Sequence, residues 1–205
     1  MQNTRLKGDT LLRARKLLNN ILDYLESHDL EYHLEGGTLL GFVRDGEFME
    51  WDHDIDISIP QHCADSFYRN RYKLWLKGYR VKKRSSTINL GPIKNGDHRV
   101  FKVKRIVYSF FKMFSKRLQQ NELVADVFVK FTDTKDVFWI AKESVMKAPA
   151  IHYKGFEELM YRDRSMRIPS LFKEYLTHKY GDWSVHVKDW DCSRDEKSVI
   201  SSLPA

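Results

Sequence analysis

The stretch Glu35-Gly36-Gly37-Thr38-Leu39-Leu40-Gly41-Phe42-Val43-Arg44-Asp45-Gly46-Glu47-Phe48-Met49-Glu50-Trp51-Asp52-His53-Asp54-Ile55-Asp56-Ile57 decides how this chain folds. It runs on into Asp54-Ile55-Asp56-Ile57-Ser58-Ile59, which alternates polar and apolar residues. A period of two is that of a strand with one buried face. The alternation sets Asp54 and Asp56 on the same face, about 7 Å apart. Two carboxylates so placed repel each other unless a cation sits between them. Hard oxygen ligands at that spacing suit Mg²⁺, with Mn²⁺ as the substitute, and Mg²⁺ recruits substrate phosphates to complete its octahedron. The stretch begins with Gly36-Gly37, after the short run Tyr32-His33-Leu34 and before Thr38-Leu39-Leu40, which reads as the first turn of a helix. A glycine turn lets backbone N–H groups approach an anion, and a helix N-terminus favours negative charge. Gly36, Gly37 and Thr38 are therefore candidate phosphate-binding residues.

Strand, Gly-Gly turn, helix and Asp-x-Asp strand resemble the skeleton of the nucleotidyltransferase superfamily. The fuller pattern is more specific: Gly37-Thr38-Leu39-Leu40-Gly41-x-x-Arg44, then Phe48, then Trp51-Asp52-x-Asp54-Ile55-Asp56-Ile57. It resembles the LicD/fukutin family, a branch of that fold. The family shows three aspartates after the Trp, and His53 holds the middle place here, a departure that leaves Asp54 and Asp56 in position. The resemblance implies an α+β fold with a mixed β-sheet flanked by helices. It also implies a transferase that moves a phospho-alcohol (phosphocholine, ribitol phosphate or glycerol phosphate) from a CDP-linked donor to a sugar hydroxyl. The acceptor would be a cell-surface or lipid-linked glycan, as in lipopolysaccharide or capsule synthesis. Asp54 and Asp56 would be catalytic and hold the metal. Arg44 has a guanidinium suited to a phosphate, with an ion pair to Asp52 or Glu50 as the alternative. Asp52 is a candidate outer ligand, and Trp51 packs or stacks on a nucleobase.

The apolar run Leu123-Val124-Ala125-Asp126-Val127-Phe128-Val129-Lys130-Phe131 carries one aspartate. A charge in such a run is costly unless paired or metal-bound. In the resemblance, Asp126 is the third carboxylate, a metal ligand and the acceptor of the attacking hydroxyl's proton; pairing with a Lys or Arg is the alternative. A third similarity runs from Pro169 through Glu174-Tyr175-Leu176 to Tyr180-Gly181-Asp182-Trp183. Tyr180 and Trp183 are candidates for the acceptor side, with packing in the core as the alternative.

The chain has 205 residues, 42% hydrophobic and 31% charged, which suits one soluble globular domain over 1–205. Cys63 and Cys192 fit no metal spacing and read as thiols in a reducing compartment. The N-terminus has no apolar h-region and no run approaches ~18 apolar residues, so the expected location is cytoplasmic. The net charge of +7 is uneven: residues 66–118 hold 16 Lys or Arg against one acid, Asp97. Such a bias points to an anionic partner.

Read in order, the chain starts with a scaffold helix from about Asp9 to His28, capped by Asp9 or Thr10. A second helix covers Cys63 to Lys77, and Tyr79-Arg80-Val81 is a strand. A basic helical or loop insertion occupies about 84–120. Within it Val103 to Leu118 has apolar residues at helical spacing among bases, either a packed helix or a peripheral contact with an anionic membrane on its inner face. Phe138-Trp139-Ile140 reads as a strand, residues around Ile151-His152-Tyr153 as a hairpin, and Met166 to Pro169 as the opening of a last helix. Rival functions are nucleotidyl transfer onto a protein, RNA or small molecule, and an inactive regulatory relative. A basic nucleic-acid module has no need of an aspartate triad, so nucleic acid is not the expected partner.

Overall fold

A computed structural model describes residues 5–106, 123–187, 190 and 194–203. Its centre is an eight-stranded mixed sheet. The strands are β1 (His33–Leu34), β2 (Asp54–Pro60), β3 (Tyr79–Ser85), β4 (His98–Arg105), β5 (Val124–Thr132), β6 (Asp136–Ala141), β7 (Ser144–Pro149) and β10 (Val199–Ser202). They run β1-β2-β5-β6-β7-β10, with β4 also paired to β5 and β3 to β4. Among the described residues only β2 and β5 pair in parallel; the other pairs are antiparallel. A separate hairpin joins β8 (Phe156–Tyr161) to β9 (Arg164–Pro169).

Alternation along β2, β4 and β5 gives the sheet two chemically different faces. Ile55, Ile57 and Ile59, with Ala125, Val127, Val129, Phe101 and Val103, form one face and are fully buried. Helices α1 (Asp9–Glu26) and α3 (Ala64–Arg69) cover it. Phe67 of α3 stacks on Phe101 at 4.8 Å, and the Tyr24 hydroxyl of α1 donates to the Phe67 carbonyl at 2.6 Å. The other face carries Asp54, Asp56, Asp126 and Lys102.

The α+β class and the mixed sheet agree with the reading of the sequence; several boundaries do not. Helix α1 starts after Gly8, with no side-chain cap from Asp9 or Thr10, and ends at Glu26. The expected helix from Cys63 to Lys77 is a 3₁₀ turn followed by α3 and α4 (Tyr72–Leu76). It breaks where Asn70 turns its side-chain amide back onto the Ser66 carbonyl at 3.1 Å, local bonding that competes with a continuing helix. Residues 86–97 are the loop joining β3 to β4. Val103 to Arg105, assigned from periodicity to a basic helix, instead complete β4 in the sheet, because Val103 pairs with Ala125 in its fully buried face. Residues 107–118 of that expectation lie outside the described residues. Ala150 to Tyr153 form a 3₁₀ turn rather than a hairpin. Met166 to Pro169 belong to strand β9, so the last helix, α5, runs only from Phe172 to Tyr180. Cys63 is buried as a free thiol; Cys192 is not described. Among the described residues no helix is long and apolar enough to cross a membrane.

Candidate functional site

Three elements meet at the Asp-x-Asp strand. The β1–β2 pairing continues one residue past β1, where the Glu35 N–H donates to the Asp56 carbonyl at 3.0 Å. Helix α2 (Gly36–Arg44) therefore starts directly over β2. The glycines are its first two residues rather than a turn before it. Gly36 has φ +54°, and a Cβ there would stand 2.3 Å from Asp56 Oδ2. A Cβ on Gly37 would stand 2.3 Å from Asp52 Oδ2. Only glycine lets the backbone lie this close to two carboxylates. The Thr38 hydroxyl is buried and accepts from the Asp56 N–H at 2.9 Å, so it fastens α2 to β2.

On the other side, Asp126 stands in register with Asp56 in parallel β5 and with Lys102 in antiparallel β4. The Lys102 ammonium donates to both Asp126 oxygens, at 2.9 and 2.6 Å. The lysine partner, the alternative for Asp126, is present, and the position beside Asp56 is the one expected of a third carboxylate.

Burial and mutual repulsion raise the carboxyl groups. Asp52 is pushed up to about 7, first by burial and then by Asp54. Asp54 is raised by burial and then by Asp126. Asp56 is raised well above the usual range by burial, Asp54, Asp52 and Asp126. A crowd of carboxylates is relieved by protons or by a divalent cation, and an all-oxygen donor set suits Mg²⁺. The residues fit such an ion in chemistry. They are not closed around one point, since no three His, Cys, Asp or Glu groups among the described residues already form a ligand cluster.

The aspartates open onto a cleft of about 650 Å³. Strands β3 and β4 and the β6–β7 turn supply Arg84, Arg99, Lys102 and Lys142 to its lining. The segment after α5 supplies Trp183, Val185, Val187 and Trp190, and α5 itself supplies Tyr180. Trp51, for which packing and nucleobase stacking are the alternatives, is 42% exposed in the same cleft and meets His186 edge-on at 5.4 Å. His53 precedes β2 and so has no strand face; it too lines the cleft. Arg44 lines the cleft but pairs with Asp45, at 2.9 Å to each carboxylate oxygen, rather than with Asp52 or Glu50. It also donates to the Trp183 carbonyl at 3.3 Å. A shallower depression of about 550 Å³ beside His152 and His178 has neither the aspartates nor the glycines.

Beneath the glycines lies a buried charge cluster that no motif of the sequence marks. Glu35, 1% exposed, forms an ion pair with Lys130 at 2.9 Å and accepts from Lys179 at 3.1 Å, Tyr153 at 3.2 Å, its neighbour Gly36 N–H at 3.2 Å, and Tyr175. Burial opposes its charge, but Lys130 and Lys179 outweigh it and hold the carboxyl well below the usual range. Lys130 sits 3.4 Å over the Trp139 ring, and burial pushes its ammonium down to about 8 despite Glu35. Lys179 also reaches Glu196 at 3.3 Å, tying the C-terminal segment to the site. The usable signal was a lysine inside the apolar β5 run, since buried charges need partners.

The family described as LicD/FKTN/FKRP, nucleotidyltransferase domain, matches residues 29–171. Ribitol 5-phosphate transferase FKRP of Mus musculus is 43% identical over 49 residues, 23% of this chain and 10% of that protein. Lipopolysaccharide cholinephosphotransferase LicD of Haemophilus influenzae is 41% identical over 56 residues, 25% of this chain and 21% of that protein. The matches thus span a tenth to a fifth of those relatives. The lincosamide antibiotic adenylyltransferase LnuA, solved with lincomycin bound, superposes with a TM-score of 0.46 at 18% identity, over 80% of this chain and 84% of that one.

Proposed function

Because the chain belongs to the LicD/FKTN/FKRP nucleotidyltransferase-domain family, we propose that it is a cytoplasmic, divalent-cation-dependent transferase that moves a phospho-alcohol from a CDP-linked donor to a sugar hydroxyl of a glycan. The observation that carries this reading is the packing of Gly36 and Gly37 against Asp56 and Asp52, with Asp126 in register alongside. The names of the relatives, a ribitol 5-phosphate transferase and a cholinephosphotransferase, support the phospho-alcohol as the group transferred.

In this reading Asp54 and Asp56 hold Mg²⁺ or Mn²⁺. Such an ion, when bound, neutralises charge on the donor's diphosphate. Arg84 and Arg99 draw that diphosphate into the cleft, and the Gly36–Gly37 backbone lets it approach closely. Trp51, Tyr180 and Trp183 offer flat faces to a base or sugar. Asp126 accepts the proton of the acceptor hydroxyl as its oxygen bonds to phosphorus and CMP departs from the opposite side. Catalysis in such transfers is mostly positioning and charge stabilisation.

The test is to incubate the purified chain and Mg²⁺ with CDP-choline, CDP-ribitol and CDP-glycerol and a panel of glycans, and to follow products by mass spectrometry. Release of CMP together with a glycan heavier by the phospho-alcohol supports the reading. Release of diphosphate from a nucleoside triphosphate, with a nucleotide added to an acceptor, would replace it by nucleotidyl transfer.

A further inference from the structure

Asp126 lies between two claims. On one side it stands in register with Asp56, and its charge acts on both Asp54 and Asp56. On the other, Lys102 takes both of its oxygens. Those oxygens are the ones a divalent cation at the Asp-x-Asp pair would share. Asp126 is well covered, with a side chain 11% exposed, while the Lys102 side chain is 27% exposed and lines the cleft. A lysine ammonium is a compact charge on a flexible four-carbon stem. From a half-open position it can swing without dragging its strand along, whereas a carboxylate on central strand β5 stays where the sheet puts it. The same cleft receives Arg84 and Arg99, the chemistry that attracts a phosphate.

We propose that Lys102 is an exchangeable counter-ion: it holds Asp126 until a divalent cation binds at Asp54 and Asp56, then gives the carboxylate up and turns its ammonium to the donor's diphosphate. This rests on the reading of the site as that of a CDP-donor transferase. The exchange couples two binding events, because the ion frees the ammonium that the diphosphate then uses. Coupling of this kind is reciprocal. Lys102 is then a positioning residue for Asp126 before the cation arrives and a phosphate-binding residue afterwards.

The role has a signature of opposite signs. Lys102→Met removes a competitor for Asp126, so Mn²⁺ alone binds about tenfold more tightly, ~1.4 kcal/mol. The same change removes a phosphate contact, so CDP at saturating Mn²⁺ binds about tenfold more weakly. Both are read by isothermal titration calorimetry on the full chain. Adding Asp126→Asn to Lys102→Met should cancel the gain in Mn²⁺ affinity, since the gain depends on the freed carboxylate. If Lys102→Met fails to fold by circular dichroism, Lys102→Gln, with a polar end on a shorter stem, is measured instead. A merely structural lysine would weaken both ligands or neither, and either result overturns the inference. If the unaltered chain binds neither Mn²⁺ nor CDP, the proposed function itself falls. If it binds both and the Lys102 variant changes neither, only the exchange is wrong.

Discussion

Replacing Glu35 by glutamine removes one charge and almost no volume from the most densely bonded carboxylate in the site. The two lysines that face it are buried, with side chains 3% and 6% exposed for Lys130 and Lys179. Lys179 keeps Glu196 at 3.3 Å. Lys130 keeps the face of Trp139 at 3.4 Å, a cation–π contact of about 2 kcal/mol when desolvated. Stripping a buried ion of its partner typically costs ~3–5 kcal/mol. The glutamine amide N–H₂ also replaces one of the two oxygens: in place of Oε1 it deprives Tyr175, Gly36 and Lys179 of their acceptor, and in place of Oε2 it faces Tyr153 and Lys130. A net loss of about 3–5 kcal/mol is expected, a large share of the ~5–15 kcal/mol that holds a domain together. Urea unfolding followed by circular dichroism should show the midpoint falling by about 1–2 M. Glu35→Gln with Lys130→Met removes both charges and should recover part of the loss, because a buried pair is replaced by apolar contact more cheaply than it is broken. A loss under about 1 kcal/mol for Glu35→Gln, or a double variant worse than the sum of the singles, would refute the reasoning.

Three further outcomes are expected. Asp54→Asn and Asp56→Asn should each leave the unfolding midpoint at or above that of the unaltered chain, because they relieve repulsion, yet cut transfer more than tenfold, ~1.4 kcal/mol of barrier; a variant keeping more than a tenth of the rate contradicts their role. Gly36→Ala places a Cβ against Asp56 at φ +54°, so it should lose about 1–3 kcal/mol of stability from overpacking and most of its activity, whereas Gly46→Ala, at a turn with nothing within 4 Å, should lose no activity. Glu47 sits below its usual pKa because Arg15 and Tyr161 outweigh the cost of burial; a lowered folded pKa contributes stability above the unfolded value of ~4.3 that is lost as pH falls, so Glu47→Gln should flatten the acid limb of a stability curve measured between pH 6 and 3.

The local parts of this protein are written in the sequence. Alternation at Asp54–Ile59 specifies β2 and puts both aspartates on one face, because side chains of a strand alternate regardless of what it pairs with. The glycine pair before Thr38 and the apolar run around Asp126 are equally local, and they are the residues on which the family likeness rests. Where two local patterns compete, tertiary burial decided. Val103 to Arg105 fit a helical stripe as well as a strand end, and pairing of Val103 with Ala125 in the core made them strand. Met166 to Pro169 became strand by pairing with β8.

Register and charge pairing were decided only by the tertiary structure. That Asp56, Asp126 and Lys102 form one row depends on β2, β5 and β4 meeting at particular offsets. Glu35 finds its partners at positions 130, 153, 175 and 179. No window along the chain contains those groups together. A buried charge requires some partner, so the sequence determines that one must exist; which one it is follows from how the strands and α5 pack around the core.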